Sequence, residues 1–296
     1  MRRFSFALLL GVLLAAPALS QSAEERVEWN APVEPFRIFG PLYYVGTHEV
    51  SSFAIKTSAG LIVLDGGLPE SAPRIVASLD KLGLKVGDVE ILLNSHSHFD
   101  HAGGLAELKK LSGARMVASE RDAAQLEAGG QGDFAWGDDY RFPAVEVDRK
   151  VKDGETVTLG GVTLTAHVTA GHTKGCTTWT ATLEQKNDKG ETERRNAVFV
   201  CSTSVPDPKN YRLAGNPRYP EIAADYERSF KTLHGLPCDL FLGAHGSFFG
   251  LLDKAARLRA GERNAFVDPK GFLSYLDASE KRFRTLLDEA RAAAKP

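Results

Sequence analysis

The chain has 296 residues, of which 43% are hydrophobic and 25% charged, and its formal net charge is −2. That length and composition allow one large globular domain or two modest ones, with apolar residues enough for a sizeable core. The near-neutral balance gives no sign of the basic excess that nucleic-acid binding draws on, so no nucleic-acid partner is expected.

The chain begins "MRRFSFALLLGVLLAAPALSQSAEER", two arginines followed by an apolar run from Phe4 to Ala16 and small residues at Ala18 and Ser20. This order of features predicts a secretory signal peptide over residues 1–20, cleaved after Ser20, and a mature domain over 21–296. The apolar run is too short for a spanning helix, which needs about 20 residues, so no membrane anchoring is expected. Export predicts a periplasmic protein in an oxidising compartment. The cysteines are Cys176, Cys201 and Cys238. Three cannot all pair within one chain, which permits at most one bridge.

"EPFRIFGPLYYVG" and "SSFAIKTSAGLIVLDGG" are rich in aromatic and β-branched residues and read as an antiparallel meander, interrupted at Ser58–Gly60. "LPESAPRIVASLDKLGL" carries Ile75, Val76, Leu79 and Leu82 on one helical stripe. "VEILLNS" is a short buried strand, and "HAGGLAELKKL" a helix with Leu105, Leu108 and Leu111 in register. A strand at "ARMVAS" and a helix at "ERDAAQLEAGG" follow, then an aromatic loop at "FAWGDDYRFP". "VKDGETVTLGGVTLTAHVTAGHT" reads as two strands around Gly160 and Gly161, and "TTWTATLEQ" and "RNAVFVCS" as two more joined by a charged hairpin tip, "KNDKGETERR". "YPEIAADYERSFKTLHGL" is a helix, "CDLFLGAH" a strand, and "FLSYLDASEKRFRTLLDEARAAA" the last helix. Each half supplies strands and then helices, and no Pro/Gly/Ser-rich linker divides them. One compact α+β domain with two packed sheets and outer helices fits this order.

Three of the chain's eight histidines fall in "NSHSHFDHAGG", residues 94–104, together with Asp100. His96 and His98 lie two apart where a strand ends and can face the same side. Asp100 and His101 open the next helix. Imidazole and carboxylate are the ligands of zinc, and one short segment cannot close two sites alone. His172 in "TAGHTKG" and His245 in "FLGAHGSF" each follow a short apolar run, as ligands at strand ends would. His48, His167 and His234 lack this placement; His167 alternates within a strand, and His234 lies on a helix.

The HxHxDH segment with the later GH and H resembles the metallo-β-lactamase superfamily. "LIVLDGG" belongs to the same pattern, while "GHTKGCTTW", "GNPRYP" and "GAHGSFFG" look like class B β-lactamases of subclass three. The resemblance implies an αββα sandwich formed by one domain, with two zinc ions at one edge of the sheets. The first would be held by His96, His98 and His172, the second by Asp100, His101 and His245. It further implies hydrolysis of the β-lactam amide of penicillins, cephalosporins and carbapenems by a metal-bound hydroxide, with Asp100 orienting that hydroxide. Ser202 and Ser204 would bind the substrate carboxylate, Tyr211 would assist at the oxyanion, and Asp65 would accept a hydrogen bond from a ligand histidine. "FAWGDD" would form part of the pocket wall. A monomer is expected.

Lactonases and thioester hydrolases of the superfamily are the alternative. Many relatives place a bridging aspartate at the end of the strand that here reads "AVFVCSTSV", and no carboxylate stands there. Other β-lactamase subclasses use a nearby cysteine ligand, but those lack a histidine at the position of His101, and Ser202 rather than Cys201 aligns with that cysteine. A Cys176–Cys201 disulfide is expected instead, against the alternative of two buried free thiols. Cys238 would then be free, since the cysteine near the C-terminus that pairs with it in some relatives is missing here.

Overall fold

The computed structural model describes residues 23–294. The signal peptide expected over residues 1–20 lies outside the described residues. In chain order the elements are α1 (Ala23–Trp29), β1 (Phe36–Phe39), β2 (Leu42–Tyr44), β3 (Phe53–Thr57), β4 (Gly60–Leu64), α2 (Ala72–Lys81), β5 (Val89–Leu93), α3 (Phe99–Ala102) and α4 (Leu105–Ser112). Then come β6 (Arg115–Ser119), α5 (Glu120–Glu127), β7 (Arg149–Val151), β8 (Thr156–Leu159), β9 (Val162–Val168), β10 (Thr177–Lys186) and β11 (Thr192–Val200). The chain continues through α6 (Pro208–Tyr211), α7 (Ile222–His234), β12 (Leu240–Gly243), α8 (Gly246–Phe249), α9 (Leu251–Arg259) and α10 (Pro269–Ala293).

Seven strands in the order β1 to β7 form one sheet, antiparallel through β4 and parallel from there. The second sheet runs β12-β11-β10-β9-β8, antiparallel except where β11 meets β12. Side chains alternate across a strand, so β4 serves two cores at once. Ile62 and Leu64 join Phe53, Leu93, Trp179 and Leu183 between the sheets. Leu61 and Val63 face the other way, onto Ile75 and Leu79 of α2 and Leu105 and Leu108 of α4. Helices α7 and α10 pack through Tyr226, Phe230, Phe283 and Leu287. The layers are therefore helix, sheet, sheet, helix, as the resemblance implies. Among the described residues, no helix is long and apolar enough to cross a membrane.

Two local expectations are corrected. The single helix over "HAGGLAELKKL" is split into α3 and α4 at Gly103 and Gly104. The loop after β4 crosses there so closely that a Cβ on Gly104 would overlap the Gly66 carbonyl, and one on Gly103 would overlap Pro69 and the Phe99 carbonyl. Backbone-to-backbone contact of this kind demands glycine. The charged hairpin tip is also shorter than expected. β10 and β11 stay paired out to Lys186 and Thr192, because their charges point to solvent and form cross-strand contacts such as Arg194 to Glu184.

The start of α10 rests on one carboxylate. Asp268 accepts from the Gly271 amide at 2.8 Å and forms an ion pair at 2.8 Å with Lys254 Nζ, whose side chain is 5% exposed. Burial opposes the charge on Asp268, but these donors hold its pKa below the usual carboxylate value. A carboxylate with a depressed folded pKa stabilises the fold above its unfolded pKa, and that contribution is lost as pH falls through the folded pKa. Asp268→Asn keeps the helix cap and loses the ion pair. At pH 7 it is expected to cost about 1–2 kcal/mol, discounted for the exposure of Asp268. Urea unfolding should show the difference from wild type shrinking as the pH drops below the normal carboxylate range.

Candidate metal centre

All six expected ligands meet at one edge of the sandwich, where β5, β9 and β12 end. His96 and His98 leave β5, Asp100 and His101 lie in α3, His172 follows β9, and His245 follows β12. They are buried or nearly so, with His96 1% and His101 0% exposed. His98 Nδ1 faces His172 Nε2 at 3.1 Å. His101 Nε2 lies 3.2 Å from His245 Nε2 and 3.2 Å from Asp100 Oδ2, and Asp100 Oδ2 lies 3.6 Å from His245 Nε2.

These spacings test whether zinc fits. Tetrahedral zinc with nitrogen and oxygen ligands at about 2.0–2.1 Å places neighbouring ligand atoms about 3.3 Å apart. The triangle of Asp100, His101 and His245 matches that edge length on every side. The donor atoms of His96, His98 and His172 converge within 4.8 Å of one another, and the buried His96 Nε2 has no hydrogen-bond partner. Buried polar nitrogen normally finds a partner, so the orphan marks a place for a cation.

The opposite ring nitrogens determine which atom each histidine presents. His172 Nδ1 donates to the Ser204 carbonyl at 3.0 Å, which leaves Nε2 bare. His96 Nδ1 sits 3.0 Å from Ser95 Oγ, and His101 Nδ1 faces Asp65 Oδ2 at 3.8 Å, so these too present Nε2. His98 is reversed, with Nε2 turned to Asp133 Oδ2 at 3.8 Å and Nδ1 presented. Backing groups of this kind orient metal-binding imidazoles. Asp65 Oδ1 is occupied by the Ser95 amide and the Asn94 side chain, and burial pushes the Asp65 pKa up to about 6.

Charge is divided to suit cations. Burial, reinforced by neighbouring imidazoles, holds His96 and His172 well below the usual histidine pKa, so their lone pairs are free at neutral pH. Burial also opposes charge on Asp100 and His101, yet their mutual attraction wins. Asp100 is held far below the carboxylate range and His101 is raised. The pair balances a proton where a metal ion would supply the positive charge instead.

A cavity of about 860 Å³ opens over the cluster. His98, Asp100, His172 and His245 form its floor, and Trp29, Trp136, Tyr140 and Phe248 supply apolar walls. The expectation for "FAWGDD" holds through Trp136. Of the three expected substrate contacts, Ser204 lines this cavity. Ser202 is 3% exposed, behind Ser204, with its Oγ 3.1 Å from Ser204 Oγ. Tyr211 is fully buried behind His172 and donates to the His172 carbonyl at 3.1 Å.

Sequence reasoning missed Trp29, Glu49, Asp122, Asp133 and Lys209, which line or brace the site. Asp122 in the first turn of α5 reads as an ordinary favourable helix charge. Its burial and its contacts to two distant loops have no local signal. Among the leftover histidines, His167 bonds Thr180 and His234 pairs with Glu280, away from the cluster.

Cys176 and Cys201 form a disulfide with Cα atoms 5.9 Å apart, as expected, and Cys238 is free. The bridge lies beside His96, where two thiolates would otherwise compete as ligands. Replacing both cysteines with alanine should lower stability by about 3 kcal/mol, from the entropy of the 25-residue loop released in the unfolded chain. Bound metal should stay unchanged. A lost equivalent, measured by elemental analysis, would restore the cysteine-ligand reading.

Comparison with known proteins agrees with this architecture. Residues 45–183 match the metallo-β-lactamase superfamily. The native FEZ-1 metallo-β-lactamase from Legionella gormanii is 41% identical, with 88% of this chain and 98% of that one covered at a TM-score of 0.84. The chain belongs to the metallo-β-lactamase superfamily. BJP-1, a subclass B3 metallo-β-lactamase of Bradyrhizobium japonicum, is also 41% identical, covering 90% of this chain and 98% of that one at a TM-score of 0.81. Among curated proteins, a hydroxyacylglutathione hydrolase of Rhodopseudomonas palustris is 34% identical over 105 residues, 36% of this chain. The chain spans about a third of the length of such relatives, 32% in that case. The superfamily likeness thus extends to two kinds of hydrolase, matched over nearly the full length for the two β-lactamases and over about a third for the hydroxyacylglutathione hydrolase.

Proposed function

We propose that this superfamily member is a periplasmic zinc β-lactamase that hydrolyses the amide of penicillins, cephalosporins and carbapenems. The observation that carries the reading is the complete double ligand set beneath an open cavity, in a chain about 40% identical to metallo-β-lactamases over almost their full length. His96, His98 and His172 would hold one zinc, and Asp100, His101 and His245 the other. Two bound zinc ions would supply Lewis acidity, both to activate water near neutral pH and to polarise the lactam carbonyl.

The chain's own residues do the rest. Asp100 is ionised and borders the cavity, so it accepts a hydrogen bond from the attacking water and fixes its direction. Ser204 and Lys209 both line the cavity, and their hydroxyl and ammonium groups would receive a substrate carboxylate. Trp29, Trp136, Tyr140 and Phe248 exclude water and accommodate bulky apolar substituents. Ser204 is no nucleophile of the Ser–His type, because His172 Nδ1 spends its proton on the Ser204 carbonyl and cannot act as base.

The thioester-hydrolase alternative has the curated match in its favour. Against it, β11 ends at Val200 and leads into the disulfide cysteine and Ser202, with no carboxylate at the position where those relatives bridge their ions. Asp207 lies further on, capping α6 at the cavity wall. Zinc-loaded protein should hydrolyse a carbapenem and a cephalosporin, followed by loss of lactam absorbance, and a chelator should abolish turnover. Faster turnover of a hydroxyacylglutathione thioester than of any β-lactam would transfer the assignment to the alternative. Sequencing the N-terminus of protein from a periplasmic extract tests export and the cleavage after Ser20.

A further inference from the structure

The loop between β2 and β3 carries Glu49, which no ligand motif includes, and the fold brings it against His245, 196 positions away. Glu49 Oε1 lies 3.3 Å from His245 Nδ1. The carboxylate is itself fixed, because Ser247 Oγ donates to Oε1 at 2.5 Å and the Ser247 amide donates to Oε2 at 3.2 Å. The backbones are tied as well: the Gly246 amide donates to the Glu49 carbonyl at 2.7 Å, and Val50 bridges His245. Trp29 and Phe248 pack against the His245 ring at 5.4 and 4.9 Å between centroids.

We infer that Glu49 is a positioning residue that determines affinity for the second metal ion, by locking His245 in the tautomer and rotation that present Nε2 to Asp100 and His101. This rests on the proposed ligand role of His245. His245 differs from the other five ligands in where it is held. The others lie in the loop after β5, in α3 and in the loop after β9; His96 and His172 are backed by Ser95 and the Ser204 carbonyl, and Asp133 and Asp65 stand 3.8 Å behind His98 and His101. His245 alone has a glutamate at its rear nitrogen, and that glutamate borders the cavity. An Nδ1–H bond to carboxylate fixes the tautomer and raises the basicity of Nε2, and losing such a partner typically costs about 10–100-fold in metal affinity. A glutamine retains a carbonyl oxygen that accepts the same bond without the charge.

The test is zinc binding to the full mature protein, titrated against a chromophoric chelator, for wild type, Glu49→Ala, Glu49→Gln and Ser247→Ala. Glu49→Ala should weaken the second equivalent about 10–100-fold and leave the first unchanged, with the metal-free melting temperature close to wild type. Glu49→Gln should recover much of the loss, and Ser247→Ala should show a smaller weakening. Two equivalents bound by Glu49→Ala with wild-type affinity would overturn the inference, as would equal loss in Glu49→Ala and Glu49→Gln, which would make charge rather than orientation responsible. A wild type that binds only one equivalent would instead refute the paired ligand sets.

Discussion

His101→Ala should reduce bound zinc from two equivalents to about one and lower β-lactam turnover by about 10²–10³-fold, while the protein stays folded. The imidazole is completely buried, and its Nε2 is one corner of the triangle with Asp100 and His245. Alanine leaves two protein ligands, too few to hold zinc against water. It also removes the partner that keeps Asp100 charged, so the carboxylate that would direct the attacking water is weakened as an acceptor. The backbone has reason to survive. Its links are main-chain bonds, from the His101 amide to the His98 carbonyl at 3.1 Å and from the Gly66 amide to the His101 carbonyl at 2.8 Å. Truncation to alanine leaves a small cavity at a fully buried site and should cost about 2–3 kcal/mol of stability. Elemental analysis and steady-state kinetics check the result. Two bound equivalents with undiminished turnover would contradict the second ligand set.

Asp122→Ala should have the largest effect on stability, a loss of about 4–5 kcal/mol in urea unfolding of the metal-free protein. Asp122 is 3% exposed and receives three donors: the Gly175 amide at 2.7 Å, Thr173 Oγ1 at 2.6 Å and the Ser97 amide at 3.1 Å. Burial pushes its pKa up, and the donors offset only part of that rise. Ser97 lies between His96 and His98, and Thr173 follows His172, so one carboxylate clamps together the two loops that carry the first proposed ligand set. Without it three buried donors lose their acceptor, the costly side of hydrogen-bond removal. Affinity for the first zinc should fall about 10–100-fold as the loops drift. Asp122→Asn should be milder, since one oxygen still accepts, although its NH₂ then faces a donor. A variant within about 0.5 kcal/mol of wild type would show that the clamp does not matter.

The local sequence determined what kind of site this is. Strand ends, helix stripes and the HxHxDH spacing are short-range patterns, and five histidines with one aspartate at such ends point to metal because few other roles tolerate that crowding. The Cys176–Cys201 bridge was an expectation, since the two residues flank the neighbouring strands β10 and β11, but spacing alone left two free thiols open. Only the tertiary structure decided which groups stand behind the ligands. Asp122, Asp133 and Glu49 are single acidic residues in a helix or loops, and nothing within several positions separates them from solvated surface charge. They acquire their roles because α5, the loop after it and the β2–β3 loop fold against ligand-bearing segments 25 to 196 positions away. Tyr211 shows the converse. Its place in a family pattern suggested contact with substrate, but packing puts its ring behind His172, where it braces a ligand. Residue type and spacing set the chemistry of coordination, while burial and long-range hydrogen bonds decided its geometry, since they depend on contacts that periodicity does not encode.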